Sequence, residues 1–155
     1  MVSVDLSLNG SKFSLCNIYV PNDQRKQQEF LQDLSAYLMS NTDTERLIVG
    51  DWNITLQPID KRGGTPRKST IARDKLLTMM KEFALVDIFR ERKQHKTNST
   101  YESKALKMSS RIDFFSIARH LTTRVAQVET KVSNAPDGRA IDSPSPTRPG
   151  TMEVQ

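Results

Sequence analysis

The stretch that most constrains the fold of this chain is an apolar run ending in polar residues, at positions 46–53. Residues 47–49 are Leu, Ile and Val, and this bulky, largely β-branched content predicts a short buried strand. The run stops at Gly50 and leads into Asp51-Trp-Asn53, so a carboxylate and an amide stand at the strand tip. A buried strand can hold such groups rigidly at a site. The alternative is a strand followed by an Asx-type turn, because Gly, Asp and Asn favour turns.

The preceding residues predict a hairpin and then a strand–helix–strand unit. Apolar and polar residues alternate over 2–8, and Asn9-Gly10 is a strong hairpin signal. The next strand, residues 13–20, becomes apolar on both faces and should lie inside a sheet. Helical spacing of the apolar residues over 24–39 predicts an amphipathic helix. Because a helix joins them, the strands on either side of it are expected to pair in parallel.

Beyond this unit the sequence predicts one more long helix and two more long strands. The helix covers residues 70–83, and the strands cover 111–117 and 121–132. The first of these strands carries Asp113 inside an apolar run, where an unpaired carboxylate would be costly to bury. Asp113 is therefore either part of a structural ion pair, with Arg111 as a partner, or the second carboxylate of a functional site.

Two segments are rich in Lys and Arg. The first lies in the irregular stretch 54–69 and includes Arg67 and Lys68, and the second covers residues 90–96. Each is either a solvated surface loop or a basic loop that meets phosphate groups. The formal net charge of +5 fits a polyanionic partner, although many plain domains are also basic.

The composition sets the limits of the domain. The 155 residues suffice for one domain with a real core, although only 36% are hydrophobic. The single cysteine, Cys16, excludes an internal disulfide and is expected to be a small core residue. No apolar run reaches the roughly 20 residues of a membrane span. Residues 142–155 are rich in Pro and Ser and are expected to be a disordered tail after a domain over 1–141.

Four short motifs occur along the chain in a recognisable order. They are Asn17-Ile-Tyr-Val-Pro-Asn22, Gly50-Asp-Trp-Asn53, Thr100-Tyr101 and Ser110-Arg-Ile-Asp-Phe114. Together they resemble the endonuclease/exonuclease/phosphatase (DNase I-like) superfamily, most closely the apurinic-type endonuclease domains of LINE-type retrotransposons. The resemblance implies an α/β fold, the C-terminal part of a two-sheet sandwich flanked by helices. It also implies metal-dependent hydrolysis of DNA phosphodiesters within a retroelement reverse-transcriptase polyprotein.

The same resemblance implies catalytic roles for four residues. Asp51 would act as a general base or acid on the attacking water or the leaving oxygen. Asn53 would hold the scissile phosphate, and Tyr19 would line the site beside it. Asp113 would orient a catalytic histidine.

Substrate and metal residues follow from the same match. By this match, Asn22 and Thr100 would support the substrate. The basic pair Arg67 and Lys68 is a candidate from its charge alone, because a basic loop can meet the DNA backbone. Asp137 would lie near the metal, which the resemblance implies to be Mg²⁺, with Mn²⁺ as the alternative. Such hard cations prefer oxygen ligands.

Two departures from the family pattern weaken the expected activity. The family closes with a Ser-Asp-His triplet, but Gly138 stands where the histidine would be, and His95 and His120 lie in unrelated segments. The family also has an Asn and a metal-binding Glu on strands before the Tyr19 motif, and neither precedes it here. The domain is therefore expected to be partial, with sheet edges and an apolar face open, and nicking is expected to be very weak or absent.

Three other functions remain open at this point. The alternatives to a nuclease are a non-enzymatic nucleic-acid-binding remnant, a phosphatase or phospholipase of the same superfamily, and a product without a selected role. The motif at Ser110 favours the nuclease branch, by resemblance. The retroelement analogy implies an intracellular and specifically nuclear location, and the sequence makes no prediction of the oligomeric state.

Overall fold

The computed structural model describes residues 1–8, 10–64, 70–130 and 152–154, and over these residues the chain alternates strands and helices. The strands run over Val2–Leu8 (β1), Ser11–Tyr19 (β2), Glu45–Asp51 (β3), Lys61–Gly63 (β4), Leu85–Asp87 (β5), Tyr101–Ser103 (β6), Met108–Ser110 (β7), Asp113–Ala118 (β8), Val128–Thr130 (β9) and Met152–Val154 (β10). The α-helices are Gln24–Ser40 (α1), Ile71–Glu82 (α2) and Ile88–Arg92 (α3), and 3₁₀ helices cover Pro58–Asp60 and Arg119–Arg124.

The main sheet has β3 at its centre, in the order β1-β2-β3-β8-β5 within the described residues. β2 and β3 are parallel, as the strand–helix–strand pattern predicts, whereas every other neighbouring pair is antiparallel. A smaller antiparallel sheet has the order β4-β7-β6, and β9 pairs with β10. The predicted α/β class is confirmed, and the site strands β2, β3 and β8 are neighbours.

Helices α1 and α2 cover one face of the main sheet. Asp23 caps α1 by accepting hydrogen bonds from the amides of Arg25 and Lys26, and Thr70 caps α2 in the same way. The buried residues of α1 repeat at helical spacing and join a core that includes the buried Cys16. These apolar stripes fix both helices against the sheet, because burying them stabilises the fold by about 25 cal/mol per Å².

A second, smaller core lies beside β5 and β8. It is formed with α3, the second 3₁₀ helix and β9, and its members are Val86, Ile88, Phe89, Ile117, Ala118, Leu121, Val125 and Val128. The predicted strand over 121–132 is wrong in its first half, because the chain there belongs to the 3₁₀ helix Arg119–Arg124. Leu121 and Val125 are both buried, and their spacing of four satisfies a helical turn as well as a strand alternation.

Other element boundaries also differ from the predictions. The stretch 54–69, expected to be irregular, contains the 3₁₀ helix Pro58–Asp60 and strand β4. β8 begins at Asp113 rather than at Arg111. Within the segment predicted to be a disordered tail, the structure describes residues 152–154, which form β10 beside β9. None of the helices in the described ranges is long and apolar enough to cross a membrane.

Candidate active site

Three candidate residues meet where β2, β3 and β8 lie side by side. Asp51 is opposite Tyr19 in the parallel β2–β3 pair and opposite Asp113 in the antiparallel β3–β8 pair. Residues directly opposite in neighbouring strands share one face of a sheet, and their Cβ atoms are about 4.5 to 5.5 Å apart in an antiparallel pair. Two carboxylates and a phenol that are distant in sequence therefore stand together, with Tyr19 56% exposed and Asp113 8% exposed.

Asp51 is half-buried and held by the turn that follows it. Its Oδ1 accepts a hydrogen bond from the backbone amide of Asn53 at 2.8 Å, so the Asx-type turn considered as the alternative is present. Burial raises the pKa of Asp51 from 3.8 to about 6, the Asn53 amide opposes this rise, and the charge of Asp113 adds to it. A carboxyl with this pKa is mostly ionised at neutral pH and is a stronger base than an ordinary aspartate, which suits proton transfer.

Asp113 is fixed through the hydroxyl of Thr100. Thr100 Oγ1 accepts hydrogen bonds from the backbone amides of Ile112 and Asp113, both at 3.1 Å. Burial raises the pKa of Asp113, and a hydrogen bond from Thr100 partly counteracts that rise. Thr100 therefore contacts the start of β8, and its effect on the site runs through Asp113.

Asn53 anchors the site turn on two sides. Its Nδ2 donates to the carbonyl of Val20 at 2.7 Å, and its own carbonyl accepts from Nε2 of the buried Gln27 in α1 at 3.3 Å. The residue has φ of 47°, a left-handed conformation that Asn tolerates better than most residues. An amide nitrogen has two N–H donors, and within the part of the chain that the structure describes only one of them is engaged.

The residues on either side of Asp51 make its position rigid. Trp52 is fully buried, stacks on the Phe114 ring at 4.8 Å, and donates from Nε1 to the Phe114 carbonyl at 3.1 Å. Gly50 has φ of 142°, and a Cβ there would lie 2.0 Å from the Ile18 carbonyl oxygen. Glycine is needed because the backbones of β2 and β3 approach closely at this point.

Of the remaining predicted residues, Asn22 lies within the described part of the chain. Asn22 is exposed in the turn after β2. Arg67, Lys68 and Asp137, and with them Gly138, lie outside the described residues.

His120 lies at the opposite end of β3 from Asp51. His120 Nε2 is 2.6 Å from Oε2 of Glu45, which is the first residue of β3, whereas Asp51 is the last. His95 is exposed in the connection after α3.

The described residues do not complete a metal site. Among them, no group of three or more His, Cys, Asp or Glu side chains could hold a metal ion. Asp51 and Asp113 supply two carboxylates, whereas a cation bound by the protein alone would need more oxygen ligands.

Four buried charged residues behind the site were not predicted. Arg111 does not pair with Asp113 as considered above; it contacts Asp60 and Asp87 instead. Arg90, expected in an exposed basic loop, is 5% exposed and also contacts Asp60. The sequence contained one usable signal, because Asp87 directly precedes the apolar start of α3 and caps it.

One described residue of the first basic segment contacts the residue that follows the second segment. Arg62 of β4 is exposed, and its Nη2 donates to Thr97 Oγ1 at 2.8 Å. Thr97 follows the exposed Lys96 of the second segment. The exposed Arg62 therefore lies beside the end of the second basic segment.

Comparison with known proteins identifies the fold. An AP endonuclease from Archaeoglobus fulgidus superposes with a TM-score of 0.67 at 21% identity, over 84% of this chain and 58% of that one. AP endonuclease LMAP from Leishmania major gives 0.68 at 17%, over 83% and 49%. A 3' phosphatase, NExo, from Neisseria, bound to product DNA hairpin, gives 0.69 at 17%, over 99% and 64%.

In sequence the chain is similar to part of a much longer protein. It is 29% identical over 136 residues to the transposon TX1 uncharacterized 149 kDa protein of Xenopus laevis. The match covers 86% of this chain and 10% of that protein. No family model matches the chain. The chain therefore has the α/β fold of the DNase I-like endonuclease, exonuclease and phosphatase structures, as the motifs led us to expect, and is similar in sequence to one segment of a transposon protein.

Proposed function

We propose that this chain is an endonuclease domain that hydrolyses phosphodiester bonds of DNA, and that it derives from a retroelement polyprotein. The observation that supports this most directly is the pairing of Asp51 and Asp113 across two central strands. Both carboxyls have a raised pKa because of their burial, and such perturbed groups cluster at functional sites. The similar AP endonuclease structures support DNA as the substrate class, and the transposon relative supports the retroelement origin.

In this proposal Asp51 takes a proton from the attacking water or gives one to the leaving oxygen. Its carboxylate is oriented by the Asn53 amide, so it does not reorganise during the reaction. The second N–H of the Asn53 side chain donates to the scissile phosphate, and the exposed Tyr19 hydroxyl lies beside it. Thr100 holds Asp113 in place opposite Asp51.

We also propose that cleavage depends on Mg²⁺, which when bound would offset the negative charge that develops on the phosphate. The resemblance assigns Asp137 to the metal. Because the described side chains do not by themselves form a complete site, we assign no step of the reaction to the ion.

The proposed activity is attenuated, because Gly138 stands where the family pattern has a histidine. Removing one member of a catalytic unit typically costs several orders of magnitude in rate. The test is nicking of a supercoiled plasmid in Mg²⁺ by the unmodified chain, by Gly138→His and by Gly138→His with Asp51→Asn. We expect very weak nicking, a gain of about 10²-fold or more with the histidine, and loss of that gain without the carboxylate.

The controls separate the nuclease from a contaminant. Asp33→Asn removes an exposed carboxylate on α1 and should leave the nicking rate of Gly138→His unchanged. Robust nicking by the unmodified chain would contradict the attenuation. A Gly138→His chain that stays inactive, or that nicks equally well with Asp51→Asn, would contradict the nuclease assignment itself.

A second candidate function, DNA binding without cleavage, is supported by the Arg62–Thr97 contact. This contact places Arg62 beside the end of the second basic segment, and neutralising backbone phosphates with Lys and Arg makes binding strongly salt-dependent. We expect Arg62→Ala to lower the slope of log affinity against log salt by about one phosphate contact. Lys26→Ala, an exposed cation on α1, is the matched control. Equal slopes for both variants would contradict this candidate.

A further inference from the structure

Four charged side chains form a buried, electrically neutral cluster behind the candidate site. Asp60, Asp87, Arg90 and Arg111 are each 6% exposed or less. Asp60 Oδ1 accepts from Arg111 Nε at 2.8 Å and also from Arg90 Nη2, and Asp87 Oδ2 accepts from Arg111 Nη2. Replacing a buried ion pair by apolar residues of similar volume is often neutral or stabilising, so such a cluster is weak evidence of a role in stability alone.

Arg111 is the centre of this cluster. Its guanidinium binds a carboxylate on each of two other elements, and its backbone amide donates to the Asp60 carbonyl at 2.8 Å. The same guanidinium lies 5.2 Å from the ring centre of Phe89 and 5.5 Å from that of Phe114. A planar guanidinium held by two carboxylates and two rings has one available position. A lysine ammonium cannot make the same set of contacts.

Arg111, the centre of the cluster, lies two residues before Asp113 in the chain. After Arg111, the Ile112 carbonyl accepts from the Trp52 amide at 2.8 Å, and the amides of Ile112 and Asp113 both donate to Thr100. Asp60, in turn, belongs to the connection that follows β3. The segment that follows Asp51 is thus bound, through Asp60, to the segment that precedes Asp113.

We propose that Arg111 is a positioning residue for Asp113: clamped by Asp60 and Asp87, it fixes the start of β8 so that the Asp113 carboxylate stands opposite Asp51. This inference rests on the proposed nuclease function for its catalytic consequence. Its geometric content concerns the distance between two carboxyl groups, and that distance can be tested without any cleavage assay.

The principal test compares Arg111→Lys with Arg73→Lys. Arg73 is also partly buried, and its Nε and Nη2 both donate to the Leu56 carbonyl in the connection after β3. In each variant, heteronuclear NMR follows the titration of the Asp51 carboxyl carbon, whose ionisable neighbours across the sheet are Asp113 and Tyr19. If Arg111→Lys lets Asp113 move away, the pKa of Asp51 falls, by about half a unit, because a nearby like charge raises it. Arg73→Lys should leave it unchanged.

A second variant guards against misfolding of the first. Asp87→Asn removes one carboxylate partner of Arg111 but keeps the oxygen that caps α3. It should also lower the pKa of Asp51, by a smaller amount than Arg111→Lys does. If folded Arg111→Lys or, where that chain does not fold, folded Asp87→Asn titrates like the unmodified chain, the inference is overturned.

Cleavage provides a separate measurement. In the Gly138→His background, Arg111→Lys should lower kcat by about 10- to 100-fold with little change in KM, because misplacing a catalytic group by about 1 Å can cost 10²-fold. Complete inactivity of the Gly138→His chain, together with the expected NMR shift, would refute the proposed function and sustain the positioning role. Undiminished kcat in Arg111→Lys would overturn the positioning role and leave the nuclease assignment standing.

Discussion

Replacing Asp51 by Asn should make the chain more stable at high pH and abolish any cleavage. The side chain keeps its size, and its oxygen still accepts a hydrogen bond from the Asn53 amide, as Asp51 Oδ1 does at 2.8 Å. What is lost is the negative charge, which is half-buried and faces the carboxylate of Asp113. A site built for chemistry is often strained in this way, and relieving the strain stabilises the fold while it removes the function.

The magnitude follows from the pKa. Burial and the charge of Asp113 raise the pKa of Asp51 from 3.8 to about 6, which corresponds to about 3 kcal/mol at about 1.4 kcal/mol per pKa unit. Solvent screens a partly exposed carboxylate, so we expect about 1 to 2 kcal/mol. The folded-state pKa is the higher one, so the penalty is absent below pH 3.8, grows as the pH rises, and is complete above about pH 6.

Urea denaturation of both chains at about pH 8 and about pH 3.5 measures this directly. Asp51→Asn should have the larger free energy of unfolding at the higher pH, and the two chains should be equally stable at the lower one. The control, Asp33→Asn on the exposed face of α1, should change stability by less than about 0.5 kcal/mol. An Asn variant that is less stable than the unmodified chain at the higher pH would refute the reasoning.

Three further predictions concern the frame of the site and its cofactor. Gly50→Ala should cost about 3 kcal/mol or more in urea denaturation, because the new Cβ would lie 2.0 Å from the Ile18 carbonyl oxygen; an unchanged midpoint would contradict the close approach. Thr100→Val should cost about 1 to 3 kcal/mol and raise the pKa of Asp113 further, since it removes a hydrogen bond that lowers that pKa; an unaltered NMR titration of Asp113 would count against this. Chelation with EDTA should abolish nicking by the Gly138→His chain and excess Mg²⁺ should restore it, whereas nicking that persists in EDTA would exclude the proposed cofactor.

The elements with a clear period were predictable from the sequence. The opening hairpin, helix α1 and the parallel pairing of β2 with β3 follow from alternation, from helical spacing and from the strand–helix–strand order. The same reasoning placed Asp51 at a strand tip, where the structure has it, and Asp113 inside a strand, whereas β8 begins at Asp113. Their meeting depends on the order of strands in the sheet, which only the resemblance to known proteins suggested.

The short elements were not predictable, because tertiary contacts decide them. β4, β6 and β7 have three residues each, too few to show a period. Arg90 looks like any surface cation in the sequence, and only the fold shows that the Asp60 carboxylate lies beside it. The ion cluster joins residues 60, 87, 90 and 111, a spacing that no local rule connects.

The close approach of Gly50 to the β2 backbone also limits how this site can evolve or be engineered. A shift of the β3 register by one residue would turn Asp51 to the opposite face of the sheet. Only a residue without a side chain fits against the Ile18 carbonyl, so a shifted register would press Val49 or Asp51 into that space. Gly50 thus fixes the strand register that keeps Asp51 on the side of Asp113. A version of the site transplanted to another protein would need this glycine as much as the two carboxylates.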